Sequence, residues 1–253
     1  MRAYAFLGDA LMVYQSAVVD LVRERAQIEI GPLVAGDLEE LDAIAGGDPA
    51  LLFLCGLPYV RTHDRGFPLR ALVAPVSSAA PEQRPGYLSL LLGRPGLAGK
   101  TLEELTDQRL AINSRDSMSG WVLPVGSGLP MERFSSIIPT GGHRLSMEAL
   151  LRDEADAAPI DSMLLAGELA VTPEFATLPV LAEYGPSPSP PIVLVGGDAQ
   201  LAERLTEVLE RLHQDETGRA ALALGRMARL ERMSDADYDL TRTCDREAAK
   251  CTR

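Results

Sequence analysis

Apolar residues recur along the chain in two rhythms. Short unbroken or alternating runs are interleaved with stripes spaced three or four residues apart, and their alternation predicts an α/β architecture. Residues 3–7 read as a short strand, and 12–25 as a helix with Val13, Ala17, Val18, Leu21 and Val22 forming its apolar stripe. Strand character returns at 27–33, and Asp37 is placed to cap a short helix that ends near Gly46 and Gly47. The continuous apolar run 50–55 predicts a strand buried on both faces, as in a parallel sheet. Segment 56–66 is rich in turn formers and in polar groups and reads as a loop. Strands follow at 69–76 and 87–93 around a polar loop at 77–85, then a short helix at 101–105 and a strand at 109–113. That strand runs directly into a serine- and glycine-bearing loop at 114–120. Strand, glycine loop and helix recur at 136–139, Gly141-Gly142-His143 and 145–152, and a strand at 157–160 ends on Asp161. The prolines of 184–191 break any helix and mark a boundary. A strand at 192–195 comes next, and the remainder from Asp198 reads as helical, with Leu201, Leu205, Val208, Leu209 and Leu212 on one face.

Composition narrows the function classes. With 253 residues, 46% hydrophobic and 24% charged, the chain can bury one large core or two ordinary lobes. A net charge of −12 excludes nucleic acid, whose phosphates need a basic footprint. It does not exclude a small anion, because a few local donors outweigh the global field at short range. Cys55, Cys244 and Cys251 are too few and too widely spaced for a disulfide framework or a zinc site. Cys244 and Cys251 share a helix face at a spacing of seven and read as two semi-buried cysteines, with a bridge or half a metal site as the alternative. No tyrosine pair suits iron, so neither metal nor cofactor is expected.

Gly8 and Asp9 interrupt the N-terminal apolar run and no small-residue cleavage site follows, so no secretory signal is expected. Read literally this is a cytoplasmic chain; an export segment preceding the sequence would make it an exported one. No apolar run is long enough to span a membrane.

Two glycine motifs invite chemistry. Between Gly93 and Gly99, ahead of Lys100 and Thr101, stand five residues where a nucleotide phosphate loop needs four, and the segment reads as a turn feeding a helix. Ser117-Met118-Ser119-Gly120 is the stronger pointer. A serine-rich turn before a helix brings hydroxyls, unpaired N–H groups and a favourable dipole to one place, as an anion requires. The competing reading is an ordinary serine N-cap.

Three stretches carry a resemblance. They are Lys100-Thr-Leu-Glu-Glu-Leu105 with Arg109 to Pro124, which includes Asn113-Ser-Arg-Asp-Ser-Met-Ser-Gly-Trp121; Thr140-Gly-Gly-His143 through to Ile160-Asp-Ser162; and residues 183–195. Together they are similar to the phosphate, phosphite and phosphonate solute-binding proteins of ABC transporters, over most of residues 50–195. The resemblance implies a type II periplasmic-binding-protein fold: two α/β lobes with a ligand cleft at a two-strand hinge. Lobe one would be 1–88 with 190–253, lobe two 89–189, and the crossovers would lie near 88–93 and 187–193. It implies closure on a small oxyanion-bearing ligand without catalysis, and an ABC permease as partner.

The residues it nominates are Ser117, Met118, Ser119, Gly120, His143 and Asp161 from lobe two, and Tyr59, Tyr87 and Ser89 from lobe one and the crossover, with Gly56 beside Tyr59. Met118 departs from the family threonine and removes one hydroxyl. Trp121 takes the aromatic position, as core or as platform, and Asp161 serves either as a ligand acceptor or as a helix cap. Arg61, His63 and Arg65 are placed to add charge. Two other functions remain open: a cytosolic enzyme on the same fold, similar to chorismate dehydratase or the thiamine-pyrimidine-forming proteins, with His143 and Asp161 as acid and base, or a ligand-sensing module.

Overall fold

The computed structural model describes residues 1–7, 11–80 and 82–251, so the interruption read at Gly8 and Asp9 lies outside the described residues. In chain order the elements are β1 (Arg2–Ala5), α1 (Met12–Ala26), β2 (Leu33–Ala35), α2 (Leu41–Ala45), β3 (Ala50–Phe53), α3 (Gly56–His63), β4 (Leu69–Ser77) and β5 (Tyr87–Gly93). They continue with β6 (Gln108–Ile112), a π-helical turn at Met118–Val122, α4 (Leu123–Gly126), β7 (Phe134–Pro139), α5 (His143–Leu151), β8 (Ala157–Asp161) and α6 (Ser162–Leu169). The chain closes with β9 (Val180–Ser187), β10 (Ile192–Val195), α7 (Ala199–Arg211), α8 (Glu216–Leu224), β11 (Met227–Arg232) and α9 (Asp239–Ala248).

These elements form two compact units, Met1–Gly86 with Pro188–Asp239, and Tyr87–Ser187 with the tail from Leu240 onward. The sequence reading puts all of 190–253 with the first part of the chain, whereas α9 packs in the second unit. The contact is a backbone one. A Cβ on Gly126 would sit 2.4 Å from the Cys244 carbonyl oxygen, so the bare glycine lets α9 lie against α4. Cys244 is buried there, with Ser127 Oγ 3.7 Å from its sulfur, and all three cysteines are free thiols.

In the first unit the strand order is β11-β4-β10-β3-β1-β2. β1 runs parallel to β2 and β3, while β10 is antiparallel to both β3 and β4. β3 and β10 are buried along their whole length, which is why both read as unbroken apolar runs. Four local expectations change. In α1 the stripe rotates: Val13 is 67% exposed, and Tyr14, Val18, Leu21 and Val22 face inward. β2 occupies Leu33–Ala35 instead of 27–33, because Gln27 turns left-handed at φ 50° to end α1 and Pro32 cannot donate to a ladder. Segment 56–66 is largely helix: Pro58 falls in the first turn, where its missing N–H costs nothing, and Leu57, Tyr59 and Val60 are buried. The C-terminal region also contains strand β11, whose register shift between Met227 and Arg229 erases the alternation that would have announced it.

In the second unit the order is β7-β6-β8-β5-β9. β6 is parallel to β7 and β8, and β5 is antiparallel to β8 and β9. One face carries a core of Leu92, Ala111, Met147, Leu150, Ile160 and Phe175. Pro186 is accommodated because β9 is an edge strand. No helix among the described residues is long and apolar enough to cross a membrane.

Backbone crowding makes a test of this packing. A Cβ on Gly218, at the start of α8, would meet the Leu212 carbonyl oxygen at 1.8 Å, while one on Gly31 meets nothing closer than 3.9 Å. Gly218→Ala is expected to lower stability by roughly 2 kcal/mol or more in urea titration, and Gly31→Ala to stay within about 0.5 kcal/mol of the parent.

Candidate functional site

Three strands of the second unit deliver helix starts to one edge of its sheet. β6 leads through Asn113 into the π-helical turn, β7 leads through Thr140-Gly141-Gly142 into α5, and β8 ends on Asp161, which opens α6. Because β6 runs parallel to β7 and to β8, all three exits lie at the same end. The antiparallel β5 begins there, with Ser89 directly opposite Asp161 and Tyr87 opposite Ser187. Open α/β sheets gather ligands at such carboxyl ends, where N–H groups of successive helices converge.

Within this edge the polar side chains form one network. Ser117 Oγ accepts from the Gly120 N–H at 3.0 Å and from Asn113 Nδ2 at 2.8 Å. With two donors already directed at the oxygen, its own proton is left to give away. Ser119 Oγ lies 2.9 Å from His143 Nε2, and Asn113 Nδ2 reaches the same nitrogen at 3.4 Å. Ser89, fully buried, donates to the Ser119 carbonyl at 2.6 Å and holds that residue's backbone. Ser162 Oγ accepts from the Leu88 N–H at 3.0 Å and ties β5 to α6. The N–H groups of Met118 and Ser119, at the start of their turn, have no carbonyl one helical turn behind them. The Gly142 cap of α5 has no side chain to occupy that helix's first N–H groups.

The electrostatics of the edge are those of neutral donors. Burial pushes His143 down to about 4, only partly offset by the Pro159 backbone carbonyl, so the ring is uncharged at neutral pH. Nδ1 makes no hydrogen bond of good geometry. Asp161 is pushed up to about 6 by burial, against the Leu164 and Met163 N–H groups that its Oδ1 caps at 3.2 and 2.8 Å. Next to the histidine, Arg144 spends its charge on Glu168 and Glu148.

The nominated residues fare differently. Ser117, Ser119, Gly120, His143 and Asp161 come together at this edge. Met118 is 3% exposed and points into the core, so the lost threonine hydroxyl is replaced by packing and not by an apolar contact surface. Gly120 is needed for space: a Cβ would lie 1.8 Å from Asn113 Oδ1. The close approach it permits is therefore that of the Asn113 side chain. Trp121 is buried, with the Arg115 guanidinium 4.4 Å from its ring centroid. Tyr59, in the first unit, is fully buried and donates to Asp235 at 3.0 Å beside the Tyr238 ring, while Gly56 begins its helix. The charges read into 61–65 meet carboxylates of their own unit: Arg65 pairs with Asp42, and His63 lies 3.2 Å from Asp64 and 3.4 Å from Asp235.

Sequence reasoning missed Asn113 as a member of this network. Its signal was a polar amide closing an apolar strand four residues before Ser117. Two open hollows, of about 580 Å³ beside Arg115 and Phe134 and about 500 Å³ beside Phe6 and Met12, include none of these residues. No cluster of metal-ligating side chains occurs among the described residues.

The chain matches the sequence profile of the phosphonate periplasmic substrate-binding proteins of ABC transporters over residues 14–238. Its fold is similar to that of a binding component of an ABC phosphonate transporter from Pseudomonas aeruginosa, with TM-score 0.76 and 14% identity over 99% of this chain and 86% of that one. It is similar to PhnD1 from Prochlorococcus marinus, solved with methylphosphonate, with TM-score 0.78 and 13% identity over 99% and 98%. The aliphatic sulphonate binding protein SsuA from Escherichia coli is also similar, at 0.62 and 16% over 99% and 87%. No curated protein matches.

The geometry makes three predictions. Gly120→Ala is expected to cost roughly 2 kcal/mol of stability, because the displaced Asn113 and Ser117 are held by hydrogen bonds that break together. The His143 ring, depressed from 6.5 in the unfolded chain to about 4 in the folded one, binds fewer protons when folded. Its stabilising contribution is therefore complete above 6.5 and is lost as pH falls towards 4. On acidification from neutral pH to about 4, the parent should lose about 3 kcal/mol more than His143→Gln, by thermal melts across that range. Asp161, shifted the opposite way, recovers stability over the same range, so Asp161→Asn should steepen the acid loss.

Proposed function

This chain belongs to the phosphonate periplasmic substrate-binding proteins of ABC transporters, and on that premise we propose that the sheet edge of its second unit binds a small phosphonate- or phosphate-like oxyanion. The observation that carries the reading is the Ser117 hydroxyl. Two donors fix its oxygen and leave its proton for a ligand, at the start of a turn whose first N–H groups lack a carbonyl behind them. The start of α5 completes the donor set, and Ser119 and the neutral His143 stand beside it as an uncharged pair. A tetrahedral oxyanion suits such a set because its several oxygens take one short hydrogen bond each.

Ser89 and Asp161 act indirectly in this reading, the first by holding the Ser119 carbonyl and the second by capping α6. Tyr59 and Tyr87 are left out of the donor set, since Tyr59 is already bonded to Asp235 and Tyr87 is buried in a strand pair. Binding is favoured over catalysis. A histidine near 4 and a carboxylate whose Oδ1 already accepts two N–H groups make a poor acid–base pair at neutral pH. We read the working compartment as the periplasm and the partner as an ABC permease, both supported by family membership.

Isothermal titration with methylphosphonate, phosphite, phosphate and acetate tests the reading. Saturable binding is expected for at least one phosphorus oxyanion and not for acetate, and Ser117→Ala should weaken it by about tenfold or more. Lack of saturable binding to every phosphorus oxyanion, or an unchanged affinity in Ser117→Ala, would overturn it.

A further inference from the structure

The two serines of the turn are wired in opposite senses, and Asn113 is the cause. Its Nδ2 group is a donor with two recipients, Ser117 Oγ at 2.8 Å and His143 Nε2 at 3.4 Å. Its Oδ1 is packed against Gly120, too close for a Cβ, which locks the amide in place. A nitrogen that receives an N–H cannot itself carry hydrogen, so the neutral imidazole holds its proton on Nδ1. The Pro159 carbonyl, which only accepts, bears on the same ring and suits that tautomer.

The Ser119 hydroxyl, 2.9 Å from Nε2, must then donate to the histidine. Its lone pairs are what remains for a ligand. Ser117 is the reverse: its oxygen is taken by Asn113 and Gly120, and its proton remains. One position of the site therefore demands an acceptor oxygen and a neighbouring one demands an O–H.

We propose that Asn113 is a positioning residue that turns Ser119 into a hydrogen-bond acceptor, so that the site selects an oxyanion still carrying a proton, a hydrogenphosphonate, over a sulfonate of the same shape. The inference rests on the oxyanion reading above and names the protonation state and chemical class of its ligand. A sulfonate presents three acceptor oxygens and no O–H, so its oxygen would face the Ser119 lone pairs. That leaves a buried acceptor unpaired against another acceptor, the arrangement polar sites reject most strongly. Of the other side-chain acceptors at this edge, Asp161 Oδ1 is already occupied by two backbone N–H groups, and Asn113 Oδ1 is buried against Gly120.

Two measurements on the parent protein test this. Titration at pH about 6, below the second ionisation of a phosphonate, compares methylphosphonate with methanesulfonate; at least tenfold tighter binding of the phosphonate is expected. Nitrogen-15 NMR of the imidazole, with the His143 signal identified by its loss in His143→Gln, should report hydrogen on Nδ1. In Ser119→Ala the preference should collapse from both sides, with weaker phosphonate binding and, once the opposing lone pairs are gone, tighter sulfonate binding. In Asn113→Ala the tautomer should shift towards Nε2–H and the preference shrink with it, which a merely structural role would not produce. Equal or tighter binding of methanesulfonate by the parent, or an Nε2–H imidazole, overturns the inference while leaving oxyanion binding intact. Binding of neither anion overturns the functional reading itself, and this inference with it.

Discussion

Parallel pairing of β6 with β7 and β8 is the constraint on which the second unit depends. It sends three strands out at one edge, and each must turn there into a helical start whose first N–H groups lack partners. Asp161 answers that need for α6 with its own carboxylate, and Ser117 answers it for the π-helical turn with a hydroxyl. The glycine before α5 leaves it unanswered. What an ordinary helix end treats as a deficit thus becomes a set of donors gathered at one place, with the hydroxyls and His143 set among them.

The proposed anion site rests on neutral donors, since the guanidiniums beside it are engaged elsewhere, Arg115 over the Trp121 ring among them. The nearest guanidinium on α5, Arg144, is engaged by Glu168 and Glu148. With a chain charge of −12, long-range attraction of anions is weak, and selectivity has to come from short hydrogen bonds and helix dipoles. Neutral His143 fits that regime. A charged ring would have to be stabilised inside a buried network that offers it only a serine, an asparagine and a carbonyl.

Much of this was legible in the sequence, and the parts that were not have definite physical reasons. The alternation of strands and helices, the serine-capped turn and the glycine loop before His143 all lie in local patterns, and local patterns survive without a structure. Ser117 is the cap that the sequence allowed, its oxygen accepting from the Gly120 N–H, and its proton is what the proposed ligand would use. The direction of Met118 was hidden because the π-helical turn inserts an extra residue and shifts which side chains face the core. The part played by Asn113 was hidden because its partners, Gly120 and His143, are reached only through a turn and through a second strand. β11 was hidden by its register shift, and the placement of α9 by a glycine contact between segments more than a hundred residues apart.

The central claim is that the Ser117 turn is where the ligand oxygens sit. A crystal structure of the protein with methylphosphonate tests it most directly. A phosphonate oxygen accepting from Ser117 Oγ and from N–H groups of the turn is the predicted result. A phosphonate bound elsewhere, with the Ser117 hydroxyl untouched, would contradict it.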